Sequence, residues 1–362
     1  MGCESGRTSG DSALDALTLL ALPRVGLREW HRRVATLGSA GAALARWGDQ
    51  PALDGARSSA RATLAAAGAL GCTTLVHGTP DYPGALHDLS DCDDPGFSPA
   101  PPVLFVLGDL TRLQAPAVAI VGTRHATATG LRAAERIARD CADAGAIVVS
   151  GLARGIDAAA HTGALEASGA TAAVIGTGLD IAYPADHRAL QRRIGRDGVL
   201  ISELPPGQRA TRGSFPERNR LIAALAHLTI VVEAGARSGA LLTARIANAL
   251  GRPVAAVPGA FDAAVCRGTN ELLRDGAHVI ASSDDALALL RIARADPPHA
   301  TPPTSLTDAE RAIWDVLGTA PLELDTVVDR SGWAADACLA AVTTLELKGL
   351  VRATRDGALQ RA

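Results

Sequence analysis

The stretch AVAIVGTRHATATG, residues 117–130, decides the fold class, because an apolar β-branched run ends in Gly-Thr-Arg and leads into a helical pattern. The same succession recurs at AIVVSGLARGIDAAAH, residues 146–161. Short strands that alternate with helices indicate βαβ units, which build a parallel sheet with helices on both faces. The sequence therefore predicts an α/β protein with a doubly wound, mostly parallel sheet.

Seven apolar runs repeat this pattern, and an eighth precedes them. The seven are residues 117–122, 146–151, 171–176, 199–204, 228–234, 253–259 and 277–281, and the earlier run is residues 103–108. Helices are expected between the runs, as at residues 130–144 and 239–250. Ligands of such Rossmann-like sheets bind at the carboxyl ends of the strands, so the turns after these runs are the candidate site.

The chain changes character on both sides of this central part. Leucines recur at near-helical spacing from residue 13 to about residue 70, and a turn with the single glycine Gly26 favours a plain helical bundle over a true helix-hairpin-helix. The predicted domains are residues 1–75 (helical, SAM/helix-hairpin-helix-like), 76–294 (Rossmann-like), 295–305 (proline-rich linker) and 306–362 (three helices and a hairpin, a winged helix).

Composition excludes some classes of function. The 362 residues are 48% hydrophobic and 20% charged, so the chain is expected to bury a core instead of being disordered. The net charge of -3 gives no overall basic signature, which leaves room only for a local basic groove if the protein binds nucleic acid. Lys348 is the sole lysine, and arginine suits planar contacts to phosphate.

The six cysteines are scattered without C-x-x-C spacing, which predicts neither a metal site nor a disulfide framework and fits a reducing cytoplasm. The opening residues lack the apolar core of a signal peptide, and no apolar run approaches the roughly 18 residues of a membrane helix. We therefore expect a cytoplasmic protein without a membrane segment, a metal or a cofactor.

The first two strand ends carry groups that suit an anion. Gly122-Thr123-Arg124 follows one run, and Ser150-Gly151 with Arg154 follows the next. Glycine lets backbone amides approach a phosphate, and the N-terminus of the following helix adds partial positive charge. Asp157 is expected to cap that helix, and His161 is expected to be structural.

The third strand end, GTGLD at residues 176–180, is incomplete as a dinucleotide site. The fingerprint G-x-G-x-x-G needs a third glycine, and the acidic residue Asp180 comes too early for it. The sequence therefore argues against NAD.

The segment FPERNR, residues 215–220, allows two interpretations. Phe215 beside Arg218, Asn219 and Arg220 could stack on a base and contact its backbone. Equally, Pro216 and Phe215 could simply begin a helix whose arginines are solvated.

The fifth strand end, EAGARSGA at residues 233–240, offers Ser238 and Gly239 at a helix N-terminus as one more phosphate nest. Glu233 could be a catalytic acid or the partner of an arginine. Because all these turns must meet at one edge of a parallel sheet, a polyanion laid along that edge accounts for them better than one small phosphate does.

The motifs, in this order, resemble those of the DNA-processing protein A family (DprA, also called Smf). The matching segments are VGTRHATATG, SGLARGIDAAAHTGAL, GTGLDIAYP, ISELPPG, FPERNRLIAAL, VVEAGARSGALLTA, GRPVAAVPG and RGTNELLRDGAHVI, within residues 118 to about 281. The flanks are similar to that family's helical and winged-helix domains.

The resemblance implies a protein that binds and protects single-stranded DNA, helps to load the RecA recombinase in natural transformation, and dimerises through its Rossmann-like domain. We expect it to be non-catalytic, because the strand-end motifs offer no obvious nucleophile, metal cluster or complete cofactor fingerprint. Carried over by position, the implied DNA contacts are Gly122, Thr123, Arg124, Ser150, Gly151, Arg154, Phe215, Arg218, Asn219, Arg220, Ser238 and Gly239.

The chain departs from the family pattern near the third strand end. Thr129 stands where many members have Tyr, His187 replaces an Asn, and Ala185-Asp186 replace basic residues after Tyr-Pro. These changes bring the phosphate contacts expected there into question.

Two other functions remain open from sequence. Glu233 after a strand suits a nucleotide-cleaving hydrolase similar to the nucleoside-monophosphate phosphoribohydrolases, although their P-G-G-x-G-T signature is absent. Residues 306–362 could bind duplex DNA, but their basic residues are few, so a partner-binding or regulatory role is an equal alternative.

Overall fold

The computed structural model describes residues 9–91, 96–167, 171–211, 213–292, 306–317, 322–354 and 357–361. Contacts between residues divide the chain into two compact units, Met1–Arg294 and Ala295–Ala362. Among the described residues, no helix combines the length and the apolar character needed to cross a membrane.

A nine-stranded sheet forms the centre of the first unit. Its strands are β1 (Thr73–Val76), β2 (Val103–Gly108), β3 (Ala117–Val121), β4 (Ile147–Ser150), β5 (Thr171–Val174), β6 (Val199–Ser202), β7 (Leu228–Val231), β8 (Val254–Ala256) and β9 (His278–Val279). They lie in the order β1-β2-β6-β5-β4-β3-β7-β8-β9. Only β2 pairs antiparallel with its neighbours β1 and β6, so the predicted mostly parallel sheet is confirmed.

Helices precede the sheet and connect its strands. They are α1 (Ser9–Leu20), α2 (Leu27–Leu37), α3 (Ala40–Ala45), α4 (Gln50–Ala69), α5 (Asp88–Asp91), α6 (Ala128–Asp143), α7 (Ile156–Glu166), α8 (Arg188–Asp197), α9 (Ser214–Leu225), α10 (Gly239–Ala249), α11 (Arg267–Arg274) and α12 (Ser283–Leu290). The expected helices at 130–144 and 239–250 correspond to α6 and α10, with ends that differ by one or two residues.

Both faces of the sheet are buried, because alternate residues of each strand pack against opposite layers. Ala119 and Val149 belong to the core on the side of α9 and α10. Their neighbours Ile120 and Val148 belong to the core on the side of α6 and α7. This explains why the strands are continuous apolar runs instead of alternating polar and apolar residues.

The N-terminal helices belong to the same unit as the sheet. Trp30 of α2 is buried, its Nε1 donates to the carbonyl of Ala16 at 3.2 Å, and its cluster includes Phe105 and Leu200 of the sheet. Thr73–Val76, at the end of the segment expected to be a separate helical domain, is the edge strand β1. The boundary expected between residues 75 and 76 thus falls inside this strand, which was not predicted because it begins with two threonines and only its last two residues are buried.

The order of connections creates a switch point between β3 and β7. From β3 the chain adds β4, β5 and β6 towards one edge, and then β7, β8 and β9 on the other side of β3. Connections at a switch point leave the sheet in opposite directions and open a crevice at the carboxyl ends of the strands.

The second unit has the predicted winged-helix succession. Its elements are α13 (Asp308–Val316), α14 (Leu324–Ser331), α15 (Ala335–Leu347), β10 (Val351–Ala353) and β11 (Leu359–Arg361). Thr307 and Glu310 form the expected reciprocal capping box at α13, and β10 pairs antiparallel with β11. The proline-rich stretch at residues 295–305 lies outside the described residues.

Candidate nucleic-acid interface

A cleft of about 900 Å³ lies at the carboxyl ends of the parallel strands, where β3 and β7 meet. We call it the edge cleft, and it is lined by the turns after β3, β4 and β7, by the segment around Tyr183 and by the start of α9. Lining residues used below are Thr123, Arg124, Asp157, Tyr183, Phe215, Arg218, Asn219, Arg237, Ser238 and Gly239. Most of the residues predicted from sequence are therefore brought together.

The turn after β3 is held by neighbouring backbone and presents one arginine. The Thr123 amide donates to the carbonyl of Glu233 at 2.7 Å, which ties this turn to the end of β7. A Cβ atom on Gly155 would lie 2.3 Å from the carbonyl oxygen of Thr123, so the turn after β4 packs directly on it. Arg124 is exposed above this packed base, with its guanidinium 5.4 Å from the centre of the Phe215 ring.

Two aromatic rings form one wall of the edge cleft. The ring centroids of Tyr183 and Phe215 lie 5.0 Å apart with an interplanar angle of 38°. Tyr183 is 49% exposed, and Phe215 is partly buried over Gly176, where a Cβ atom would lie 3.3 Å from the ring. Aromatic faces next to an arginine suit the stacking of an unpaired base.

The turn after β4 is organised by Asp157, which lies in the first turn of α7. Its carboxylate accepts hydrogen bonds from the amides of Gly151 at 3.2 Å and Ala153 at 3.3 Å. The helix cap itself is Gly155, so the sequence correctly expected Asp157 near a helix start but placed it at the cap. Burial raises the pKa of Asp157, while the guanidinium of Arg218 opposes that rise.

His161 has the structural role expected for it, with different partners. Its Nε2 accepts from the Leu152 amide at 3.3 Å, and its Nδ1 lies 2.7 Å from the hydroxyl of Thr171. Burial lowers the pKa of His161 to about 3, so the ring stays neutral. The acceptor bond supports Leu152, whose φ of 56° places a branched residue in the left-handed region.

Arg218 lies in the floor of the edge cleft and is almost fully buried there. It is only 4% exposed, and its Nη1 donates to the carbonyl of Val174 at 2.6 Å. Burial lowers the pKa of Arg218 to about 10, with Asp157 acting in the opposite direction. Its Nε is buried without a hydrogen-bond partner among the described residues, so part of its donor capacity is unused.

Arg220 is turned away from the cleft, which corrects the expectation that it is an exposed phosphate contact. It is 2% exposed, and its Nη2 donates to Glu203 at 2.5 Å while its Nε contacts Glu217 at 3.4 Å. On α9, positions 218 and 220 are about 200° apart around the helix axis, so two neighbouring arginines cannot share one face.

Three further predicted contacts are explained by packing within the protein. The Ser150 hydroxyl is fully buried and donates to the carbonyl of Ile120 at 2.7 Å. A Cβ atom on Gly151 would lie 1.8 Å from Nη1 of Arg218, and one on Gly122 would lie 2.5 Å from the Ile156 side chain. A side chain at residue 122 would meet Ile156 and the backbone of Glu233, and one at residue 151 would displace the guanidinium of Arg218. The Ser150 side chain is not available to a ligand.

The N-terminus of α10 is the open side of the edge cleft. Ser238 caps this helix by accepting from the Ala240 amide at 3.3 Å, and Asn219 donates to the Gly239 carbonyl at 3.3 Å. Nothing lies within 4 Å of a Cβ built on Gly239, so a ligand can approach its backbone closely. Arg237, exposed beside them, was not among the predicted contacts, although it stands in the motif EAGARSGA.

Arg154 and the departures after Tyr183 lie beside the cleft. Arg154 forms an exposed ion pair with Asp186 at 2.5 Å, and this guanidinium lowers the pKa of the Asp186 carboxyl. His187 Nδ1 lies 3.0 Å from the carbonyl of Leu152, so the histidine supports the turn after β4. Asp186 therefore competes with phosphate for Arg154, which is one of the predicted phosphate contacts.

Glu233 stabilises the start of α6. Its carboxylate accepts from the Thr127 amide at 2.9 Å and from the Thr127 hydroxyl at 2.5 Å, and it is 6% exposed. A Cβ atom on Gly130 would lie 2.3 Å from its carboxyl carbon. Both carboxylate oxygens are thus engaged at a helix N-terminus, where negative charge is favourable. Among the described residues, no group of His, Cys, Asp and Glu is arranged to hold a metal ion.

Comparison with known proteins gives family matches over both units. The family model described as DNA recombination-mediator protein A matches residues 73–291, and a model of the DprA winged-helix domain matches residues 297–357. The chain is 36% identical over 314 residues to protein Smf of Synechocystis, spanning 76% of this chain and 77% of that protein. It is 42% identical over 207 residues to the DNA processing protein DprA of Streptococcus pneumoniae, spanning 57% of this chain and 70% of that protein.

Two solved structures are similar to this chain. The X-ray structure of DprA from Streptococcus pneumoniae superposes with a TM-score of 0.61 at 32% identity, covering 77% of this chain and 94% of that one. DprA from Helicobacter pylori, described by its single-stranded DNA binding mode, gives 0.53 at 32% identity, covering 61% and 95%. The chain therefore belongs to the DNA recombination-mediator protein A family, the DprA/Smf proteins, and carries that family's winged-helix domain.

Proposed function

We propose that this protein binds single-stranded DNA along the edge cleft, without catalysis, and thereby protects the strand. The observation that carries the proposal is the geometry of Arg124, Phe215 and Tyr183, in which one guanidinium and two rings share a wall of an open cleft. A base can stack on the rings while Arg124 contacts the adjoining phosphate. The backbone at Gly239, across the cleft, offers a second place for phosphate.

The cleft favours a single strand over a duplex. Its charged groups contact the backbone of a nucleic acid, and its rings need a base whose face is free of pairing and stacking. The Helicobacter pylori relative is itself described as binding single-stranded DNA, which supports the same ligand class here.

The direct test is fluorescence anisotropy with a labelled oligothymidylate at several salt concentrations. For single strands, the logarithm of the association constant falls with the logarithm of salt by about 0.7 per phosphate contacted, so Arg124→Ala should weaken binding and flatten this slope. Phe215→Ala should cost roughly 1–3 kcal/mol, the range for loss of one stacked base. Arg136→Ala is the matched control, because Arg136 is exposed on α6 beside Asp140 and away from the cleft. Unchanged binding in both cleft variants would overturn the proposal.

We further propose, with the family, that the protein helps to load the RecA recombinase on the bound strand in transformation or recombination, acts in the cytoplasm and works as a homodimer through the Rossmann-like unit. Family membership supports these steps. Preincubation of the DNA with this protein should shorten the lag of RecA-dependent ATP hydrolysis, and light scattering after gel filtration should give twice the mass of one chain. An unchanged lag or a monomeric mass would contradict the corresponding step.

A hydrolase reaction at Glu233 is the other candidate from sequence. The engagement of both its oxygens by Thr127 favours a structural role for this carboxylate. Release of free base from nucleoside monophosphates that Glu233→Gln abolishes would restore the enzyme hypothesis.

A further inference from the structure

A second cleft adjoins the turn at residues 181–183, which we call the Tyr183 turn. It encloses about 850 Å³ between α8 and the segment before Tyr183, and we call it the α8 cleft. Tyr183 lines the edge cleft, whereas Ile181 and Ala182, directly before it in the chain, line the α8 cleft. Consecutive residues of one turn therefore line the two clefts.

The α8 cleft joins an aliphatic floor to a row of arginines. Leu107, Leu179 and Leu200 line its inner part. Arg188 and Arg192 line its outer part and are exposed, four residues apart on α8, so they lie on the same side of that helix. An apolar surface beside two guanidiniums matches a ligand that combines a flat apolar group with phosphate.

The charges of this row are available to a ligand. Within the described part of the chain, neither Arg188 nor Arg192 makes an ion pair. By contrast, Arg196, the next lining arginine on α8, is held by both oxygens of Asp197 at 2.7 Å. The acidic lining residue, Asp180, accepts from the Gly207 amide at 2.9 and 3.1 Å.

A buried acceptor stands in the wall of the same cleft. Gln191 is 5% exposed, and its Nε2 donates to the Leu179 carbonyl at 2.9 Å. Its Oε1 has no hydrogen-bond partner among the described residues. Buried polar atoms usually have a partner, and an amino or imino group of a nucleobase is a donor of the required kind.

We infer that the α8 cleft is a second subsite for the same single strand, with phosphates at Arg188 and Arg192 and a base against the leucine floor. This inference rests on the proposed function, because the strand reaches the α8 cleft by way of the edge cleft. It extends that function by giving the strand a path around the Tyr183 turn.

The test compares oligothymidylates of about 6 and about 16 nucleotides, within the range of single-strand site sizes, by fluorescence anisotropy. Wild-type protein should bind the longer strand more tightly than its extra registers alone explain. Arg188→Ala/Arg192→Ala should leave the short strand within about twofold of wild type. For the long strand it should lose up to about 25-fold in affinity at about 0.1 M salt, because each phosphate contact contributes about fivefold relative to 1 M salt.

A matched control is Arg57→Ala/Arg61→Ala, which removes two arginines at the same spacing on α4, outside both clefts. Thermal melting of both double variants verifies folding, and little change is expected because the side chains of Arg188 and Arg192 are exposed. Equal losses for short and long strands, or a loss no larger than that of the control, would overturn the second subsite. Failure of wild-type protein to bind the short strand would instead contradict the proposed function at the edge cleft.

Discussion

The edge of the parallel sheet and helix α15 of the winged helix are both positions at which such folds can contact nucleic acid, but they differ in the charges that they expose. The sheet edge presents Arg124, Arg237 and an open backbone at Gly239. Helix α15, which takes the place of a recognition helix, contains no lysine or arginine and carries Asp336 and Glu346. A fold supplies a position for binding, and the side chains at that position decide whether an anion is attracted.

The exposed residues of α15 include two large apolar side chains and two carboxylates, and no cation. Leu339 is 54% exposed and Leu347 is 85% exposed on this helix. Lys348, directly after it, is paired with Glu310 at 2.8 Å. The winged helix thus differs from the sheet edge in the chemistry of its exposed residues, and the following four predictions test that difference.

The largest effect is expected for Arg218→Ala. This variant tests a buried arginine at the sheet edge, in contrast to the exposed arginines there. The substitution removes the bond to Val174 and leaves Asp157 buried without its neighbouring cation. Loss of one partner of a buried charged pair costs about 3 kcal/mol or more, and urea unfolding should show that loss in the free energy of unfolding. Adding Asp157→Asn should restore part of it. Wild-type stability for the single variant would show that the buried cation at the edge is dispensable.

The next prediction concerns the pH dependence of stability. The first compact unit contains buried histidine, whereas residues 306–362 contain no histidine. The folded protein keeps His161 neutral down to a pKa of about 3, whereas the unfolded chain takes up this proton below about pH 6.5. Stability from this group is therefore complete above about pH 6.5 and declines as the pH falls towards 3. His77, with a pKa lowered to about 4 by burial, acts in the same direction.

As the pH falls from 6.5 to 5, protonation of His161 in the unfolded chain should lower the free energy of unfolding by about 2 kcal/mol. Urea titrations of wild type and His161→Gln at both pH values provide the measurement. The variant should be less stable at neutral pH but lose less on acidification. A variant with the wild-type pH slope would remove His161 as the cause.

A smaller gain is expected from Asp186→Asn at the rim of the sheet edge. The change frees Arg154 from its exposed ion pair and removes a negative charge next to the proposed strand. Affinity for oligothymidylate should rise by up to about fivefold at about 0.1 M salt, the contribution of one phosphate contact, and the salt slope should steepen. Asp275→Asn, which removes an exposed carboxylate beside Arg274, is the control. An equal rise in the control would mean that only net charge matters.

The smallest effect is expected from removing the winged helix. A chain that ends at Arg294 retains the whole first compact unit, including the edge cleft. Its affinity for single-stranded oligothymidylate should stay within about twofold of the full chain, since α15 offers no cation for phosphate. The same comparison on duplex DNA tests the remaining alternative. A clear loss of duplex binding on truncation would make the winged helix a duplex reader despite its acidic α15.

Much of the architecture followed from local pattern. The apolar runs identified the parallel strands, and the Thr307–Glu310 capping box and the final hairpin identified the winged helix. The strand β1 and the antiparallel pairing of β2 were not predicted. β1 is buried at only two of its four residues, so it lacks the continuous apolar run that identified the parallel strands of the same length. The position of β2 beside β6 depends on partners almost a hundred residues away.

The candidate site was predicted less completely than the fold. Sequence placed Arg124, Phe215 and Ser238 at one edge, and the structure brings them to one cleft. The sequence did not reveal that Gly122 and Gly151 accommodate neighbouring side chains. A glycine that makes room for a ligand and a glycine that makes room for a side chain look identical in a motif. Tyr183 and Arg237 lie within recognised motifs, but only the folded structure shows that they line the edge cleft.

By itself, the sequence determined that several glycine- and arginine-containing turns share one edge, because strands in a parallel sheet point the same way and their carboxyl ends must coincide. Only the tertiary structure decided which arginines reach a ligand. Arg124 is exposed, Arg218 is almost fully buried in the floor near Asp157, and Arg220 is paired with Glu203. The physical reason is that burial and ion pairing depend on residues brought together from distant parts of the chain, which no local pattern records.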